Sequence, residues 1–112
     1  MTAPRSSSGT PVTPASATAG LRRNAVSTSI VPIRWSAIRF SGATPVPLVL
    51  REDADFAFSV DELAARLSPR TKLVILNSPQ NPTGGVLARE TLVAAADVLR
   101  DSEAWVLSDE VY

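Results

Sequence analysis

Polar residues typical of a ligand site occur at two places, each directly after an apolar run. Residues 77–85 (NSPQNPTGG) follow the run 73–76, and their two prolines and two glycines cannot continue a strand or a helix. Residues 108–110 (SDE) follow the run 104–107 in the same way. Since ligands bind outside the carboxyl ends of parallel strands, the two segments predict one polar site.

Asn81 and Asp109 are the candidate binding residues of that site. An amide and a carboxylate can donate to and accept from a polar ligand. From position alone, other interpretations stay open. Asn81 before a proline is also typical of a turn, and Asp109 after a strand is also typical of a helix N-cap or a loop carboxylate.

Several classes of site are excluded by residues that the sequence lacks. The 112 residues include no cysteine and no histidine, so we expect no disulfide, no metal site and no Ser-His-Asp triad. No apolar run approaches the roughly 20 residues that a membrane span requires. The basic residues are too dispersed for nucleic-acid binding. We therefore expect a cytoplasmic protein that binds neither membrane nor nucleic acid.

The elements that position the two segments alternate between helix and strand. Two strands joined by a helix within about 30 residues form a parallel βαβ unit, so the predicted fold class is α/β. The residues expected in the core are Leu63 and Leu67 on the second predicted helix, Leu92, Val93, Ala96 and Leu99 on the third, and Trp105. The sequence predicts three helices: one from about Trp35 to Gly42, one from a Ser59–Glu62 capping box to Ser68, and one at 89–101. It also predicts three strands: an edge strand at 45–50, a buried strand at 71–76 and a strand at 104–107.

The first 29 residues differ in composition from the rest. They are rich in Ser, Thr, Pro and Ala, contain no acid and show no hydrophobic period, which predicts a disordered leader before a domain at 30–112. Charge is also uneven: residues 1–51 hold six arginines and no acid, and residues 52–112 hold all eleven acids.

The segment NSPQNPTGGVL, followed after one helix by AWVLSDEVY, resembles the core of the class I/II aminotransferases. These are fold-type I enzymes that depend on pyridoxal 5′-phosphate (PLP). The resemblance extends over residues 35–112. It implies part of the family's large domain, a parallel sheet in a three-layer α/β/α arrangement, and a homodimer in the full-length family.

The resemblance also implies roles for three residues in cofactor binding. Asn81 matches the asparagine that hydrogen-bonds the phenolic oxygen of PLP, and the bond before Pro82 is often cis. Tyr112 matches the tyrosine that reaches the same oxygen. Asp109 matches the aspartate that pairs with the ring nitrogen; a carboxylate there keeps the nitrogen protonated, which strengthens the ring as an electron sink. Trp35 is interpreted as a packing residue, and Glu110 as structural or solvated.

No catalytic residue is assigned. Lys72 is the only lysine, but it opens a strand at the end opposite the predicted site and does not match the family's catalytic lysine. We therefore expect a fragment of an aminotransferase, which transfers an amino group between an amino acid and a 2-oxo acid, and expect it to be inactive alone. The alternatives are another fold-type I PLP enzyme (a C–S lyase, decarboxylase or synthase) or a non-catalytic α/β remnant or interaction module.

Overall fold

The computed structural model describes residues 22–28 and 32–110. Within these ranges strands and helices alternate, and a short 3-10 helix at Glu52–Ala54 precedes the second α-helix. The elements are β1 (Asn24–Ser27), α1 (Pro32–Phe40), β2 (Thr44–Pro47), α2 (Val60–Arg66), β3 (Thr71–Asn77), α3 (Arg89–Leu99) and β4 (Trp105–Asp109). The predicted α/β class is confirmed.

The four strands form one sheet in the order β2-β1-β3-β4, and each neighbouring pair is parallel. β2 lies at the edge, as its two prolines predicted. The prediction of a disordered leader is wrong for the residues of β1. This strand lies between β2 and β3, and its Ala25, Val26 and Ser27 are buried. The remainder of that leader, residues 1–21 and 29, lies outside the described residues.

The two faces of the sheet are covered by different helices. Side chains of successive strand residues point to opposite faces, and the buried residues divide accordingly. Val26 and Val74 pack with Leu63 of α2 and Leu99 of α3. On the other face, Ala25 and Ile75 pack with Ile38 of α1. The sheet therefore has helices on both faces, as parallel sheets require.

The helix ends follow the local sequence signals. α1 ends in a Schellman motif: Ala43 N–H donates to the Ile38 carbonyl (3.1 Å) and Gly42 N–H to the Arg39 carbonyl (3.0 Å), with Gly42 at φ +80°. The Ser59 side chain accepts a hydrogen bond from Glu62 N–H at 3.3 Å, which caps α2 as predicted. α3 begins after Ala88, which provides no side-chain cap.

The prediction of core positions is wrong for four residues. Leu92, Val93 and Ala96 of α3 are exposed, because the helix packs through Ala95 and Leu99, with half-buried Val98 between them. Trp105 is 80% exposed, because β4 is the outer strand of the described sheet and its Trp105 end has a neighbour only in β3.

Leu63 and Leu92 provide a matched test of this packing. Leu63 is fully buried and Leu92 is 41% exposed. We expect Leu63→Ala to lower the free energy of unfolding by about 2–5 kcal/mol, because it leaves a cavity between α2 and the sheet. Leu92→Ala is expected to change it by less than about 1 kcal/mol. Urea denaturation followed by circular dichroism measures both, and equal losses would contradict the packing of α2.

Candidate functional site

The carboxyl ends of β3 and β4 meet at one edge of the sheet. Asn77, the last residue of β3, is the register partner of Asp109, the last residue of β4. Ser78 N–H donates to the Asp109 main-chain carbonyl at 3.2 Å, which ties the two strand ends together. The predicted meeting of the two polar segments at one edge is therefore present in the fold.

Asn77 is a buried polar residue that organises this edge, a role that no local sequence pattern indicated. Its side chain is 2% exposed. The side-chain amide is oriented so that both its nitrogen and its oxygen have hydrogen-bond partners. In this orientation the nitrogen donates to the carbonyls of Asp109 (3.1 Å) and Pro79 (3.0 Å). Its main-chain N–H donates to Thr28 Oγ1 at 3.0 Å, which links β3 to the end of β1. Asn77 thus connects the Asp109 main chain, the loop at Pro79 and the end of β1.

The Asp109 carboxylate forms an ion pair with the guanidinium of Arg34, through Oδ2 and Nη2. Both side chains are about a quarter exposed (23% for Arg34 and 24% for Asp109). Arg34 Nη1 also donates to the Asn77 amide oxygen at 2.9 Å. The neighbouring Glu110 has a different contact, accepting a hydrogen bond from the Ser108 hydroxyl at 3.0 Å. Arg34 is therefore a second residue of this edge that no sequence motif indicated.

The loop after β3 is closed by its own main chain. Gln80 N–H donates to the Gly85 carbonyl (2.8 Å), and Gly84 N–H donates to the Gln80 carbonyl (2.7 Å). The Ser78 hydroxyl accepts from Leu87 N–H at 3.0 Å, which joins the loop to the start of α3. The bonds Ser78–Pro79 and Asn81–Pro82 are both cis.

Asn81 lies in this loop, four residues beyond the end of β3, and is half-buried. Within the described part of the chain, its side chain makes no hydrogen bond to Asp109 or to another residue. The fold thus places both candidate binding residues at the same edge of the sheet without joining them directly. Tyr112, the third candidate, lies outside the described residues, so its assignment stays a prediction.

Gln80 and Trp35 border a small cavity beside the loop. Gln80 is buried, and its amide nitrogen lies 3.5 Å from the Thr28 carbonyl. Trp35 is half-buried, and it lines the cavity of about 190 Å³ together with Leu48 and Phe56. The cavity lies between α1, the end of β2 and the loop.

Lys72 lies at the other end of β3, as the sequence predicted. Its Nζ donates to Glu103 Oε2 at 2.8 Å. That hydrogen bond and the charge of Lys72 lower the pKa of the Glu103 carboxyl from its ordinary value of 4.5. Because Asp109 and Asn77 end their strands and Lys72 begins one, the only lysine is on the opposite edge of the sheet.

The family of the chain follows from comparison with known proteins. The fold is a parallel α/β sheet with polar side chains at the carboxyl ends of two neighbouring strands. Residues 35–112 match the family model "Aminotransferase class I and II". The chain therefore belongs to the class I and II aminotransferase family.

Relatives in this family are named for different amino acids. The chain is 41% identical over 76 residues to aromatic-amino-acid aminotransferase 2 of Thermococcus litoralis, covering 68% of this chain and 20% of that protein. It is 42% identical over 71 residues to arginine–pyruvate transaminase AruH of Pseudomonas aeruginosa, covering 63% of this chain and 18% of that protein. The chain thus spans about a fifth of the length of the curated relatives it matches.

Solved structures show the same architecture over more of the chain. Aspartate aminotransferase from Thermus thermophilus with maleate superimposes with a TM-score of 0.74 at 28% identity, covering 81% of this chain and 24% of that one. YbdL, a methionine aminotransferase from Escherichia coli, superimposes with a TM-score of 0.73 at 33% identity. The match again covers 81% of this chain and 24% of that one. These enzymes have the parallel-sheet fold predicted for this chain. None of the described helices is long and apolar enough to cross a membrane.

Gly84 and Gly85 provide a test of the loop geometry. Gly84 has φ +75° and open space around its missing Cβ, whereas a Cβ on Gly85 would lie 2.8 Å from Phe56 Cβ and 3.2 Å from the Asp55 carbonyl oxygen. We expect either alanine substitution to destabilise the chain by about 1–2 kcal/mol, for different reasons.

Substitution by asparagine distinguishes the backbone strain expected at Gly84 from the steric clash expected at Gly85. Because asparagine tolerates the left-handed region, Gly84→Asn should cost less than Gly84→Ala. Gly85→Asn should cost at least as much as Gly85→Ala, because the obstacle there is steric. Thermal unfolding of the four variants measures the two differences, and the same order at both positions would contradict the geometry.

The Lys72–Glu103 pair predicts a small dependence of stability on pH. Since Glu103 has a lowered pKa in the folded chain, the pair stabilises the fold above pH 4.5, and this contribution disappears as the pH falls through the lowered pKa. NMR titration of the Glu103 carboxyl should give a higher pKa in Lys72→Met than in the unaltered chain. Identical titrations would contradict the contact.

Proposed function

We propose that this chain carries part of the PLP site of an aminotransferase. Asp109 would accept a hydrogen bond from the ring nitrogen, and Asn81 and Tyr112 would donate to the phenolic oxygen. The observation that carries the proposal is the placement of Asp109 and Asn81 at one edge of a parallel sheet in a member of this family. When bound, PLP supplies an electron sink for the carbanion formed during amino-group transfer.

The chemistry of Asp109 suits the ring nitrogen of PLP. Its carboxylate oxygens can accept hydrogen bonds from cationic N–H donors, and the guanidinium of Arg34 is one such donor. Its main chain is fixed by Asn77 and Ser78, which limits the movement of the carboxylate. The loop amide of Asn81 has no partner among the described residues, so it remains available to a ligand.

The reaction of the whole protein is proposed from its relatives. They are named as aminotransferases for aromatic amino acids, arginine, aspartate and methionine. We propose amino-group transfer between an amino acid and a 2-oxo acid, by a cytoplasmic homodimer. Because Lys72 lies at the opposite edge of the sheet and is paired with Glu103, the 112-residue chain has no lysine placed to bind PLP covalently at Asp109.

Binding of PLP to the chain tests the role of Asp109. We expect Asp109→Ala to weaken PLP binding at least tenfold, because the ring nitrogen loses its acceptor. Glu110→Ala is the matched control: this neighbouring carboxylate accepts a hydrogen bond from Ser108 and none from Arg34 or Asn77, and its removal should change the affinity less than twofold. Equilibrium dialysis at pH 7.5 measures all three proteins, and equal affinities for Asp109→Ala and the unaltered chain would contradict the proposal.

Borohydride reduction tests the position of Lys72. We expect no stoichiometric pyridoxyl label on Lys72 and no transamination when the chain is incubated with PLP, an amino acid and a 2-oxo acid. Peptide mass spectrometry after reduction locates any label, and Lys72→Arg is the control for background. Full labelling of Lys72 together with turnover would show that this lysine, and not one elsewhere in the full-length protein, serves the reaction.

A further inference from the structure

Arg34 occupies a position that its own helix does not favour. It is the third residue of α1 (Pro32–Phe40), whose first turn contains no acidic residue. The N-terminal end of a helix carries a partial positive charge, so a cation there is unfavourable unless a nearby anion compensates. Arg39, in contrast, lies in the last turn of the same helix, where a cation is favoured.

The compensating anion is Asp109, 75 residues further along the chain. The guanidinium reaches two acceptors at the carboxyl edge of the sheet: the Asp109 carboxylate through Nη2 and the buried Asn77 amide oxygen through Nη1. Arginine is suited to such a two-point contact because its donors are held in a rigid plane. Asn77 therefore keeps the cation against Asp109 even though both charged side chains are partly exposed.

We propose that Arg34 is the resident counter-ion of Asp109 and competes with a cationic ring for that carboxylate. This inference rests on the proposed function, which places the PLP ring nitrogen at Asp109. With Arg34 in place the pair has no net charge, whereas Asp109 alone would carry a full negative charge. A protonated pyridine ring therefore gains less from Asp109 here than it would from an unpaired carboxylate, and must share or displace the guanidinium.

Arg34 thus limits the affinity of Asp109 for the protonated PLP ring. The two cations would lie within a few ångströms of one carboxylate, a distance at which like charges near a protein surface repel appreciably. Removing the positive charge should strengthen the attraction between Asp109 and the ring. A purely structural role for Arg34 predicts the opposite, because its loss would then loosen Asp109 and weaken binding.

Affinity for pyridoxine 5′-phosphate separates these two outcomes. This probe has the ring and phosphate of PLP but no aldehyde to react with Lys72. We expect Arg34→Gln to bind it about three- to tenfold more tightly than the unaltered chain at pH 7. Arg34→Lys, which keeps the charge, should bind within about twofold of the unaltered chain, and Arg39→Gln is the control on the same helix. Unchanged or weaker binding by Arg34→Gln would overturn the proposal.

A measurement on the unaltered chain covers the case in which Arg34→Gln fails to fold. The guanidinium NMR signals of Arg34 should shift when pyridoxine 5′-phosphate is added, whereas those of Arg39 should not. An Arg34 signal that stays in place while the probe binds would overturn the competition.

Failure of the proposed function has a different signature. If the unaltered chain and all variants show no binding of the probe, the proposed PLP site is wrong, and the ion pair is then tested alone. A thermal double-mutant cycle of Arg34→Gln and Asp109→Asn measures their coupling. A double variant that loses no more stability than either single one supports Arg34 as the counter-ion of Asp109, and additive losses overturn it.

Discussion

The parallel pairing of β3 with β4 determines what the carboxyl edge of this sheet can do. It places Asn77 beside Asp109, and the Asn77 amide then holds the main chain of both strand ends. Because strand side chains alternate between faces, a shift of one residue would place Ser108 opposite Asn77 and turn the Asp109 carboxylate to the other face.

Most of the fold was predictable because its signals are local. The capping box at Ser59, the glycine that ends α1 and the apolar run of β3 each act within a few residues. β1 was not predictable in this way. Its sequence, NAVS, is short and lies next to a polar segment, and its burial comes from pairing with β2 on one side and β3 on the other. Strand propensity depends on such neighbours rather than on the strand itself. The exposure of Trp105 has the same origin, because it depends on which strand is outermost.

The candidate site was predicted unevenly for a related reason. Asp109 and Asn81 occur in segments with a recognisable pattern, and the fold places both at the expected edge. Arg34 belongs to no motif, and its partner is far away in the sequence. The only local signal was a cation in the first turn of a helix without an acid, a feature that becomes informative only when the opposing carboxylate is known. Asn77 ended an apolar run and was grouped with the loop, although it belongs to the strand.

The position of β1 has a consequence for defining the folding unit of this protein. The match to the family begins at Trp35, whereas the sheet begins at Asn24. A chain cut at the family boundary would keep β2 but lose the only strand that β2 pairs with in the described sheet. It would also lose Thr28, whose hydroxyl receives the Asn77 main-chain N–H. Similarity of sequence and cooperativity of folding therefore have different boundaries in this chain. Any shortened form should begin before Asn24.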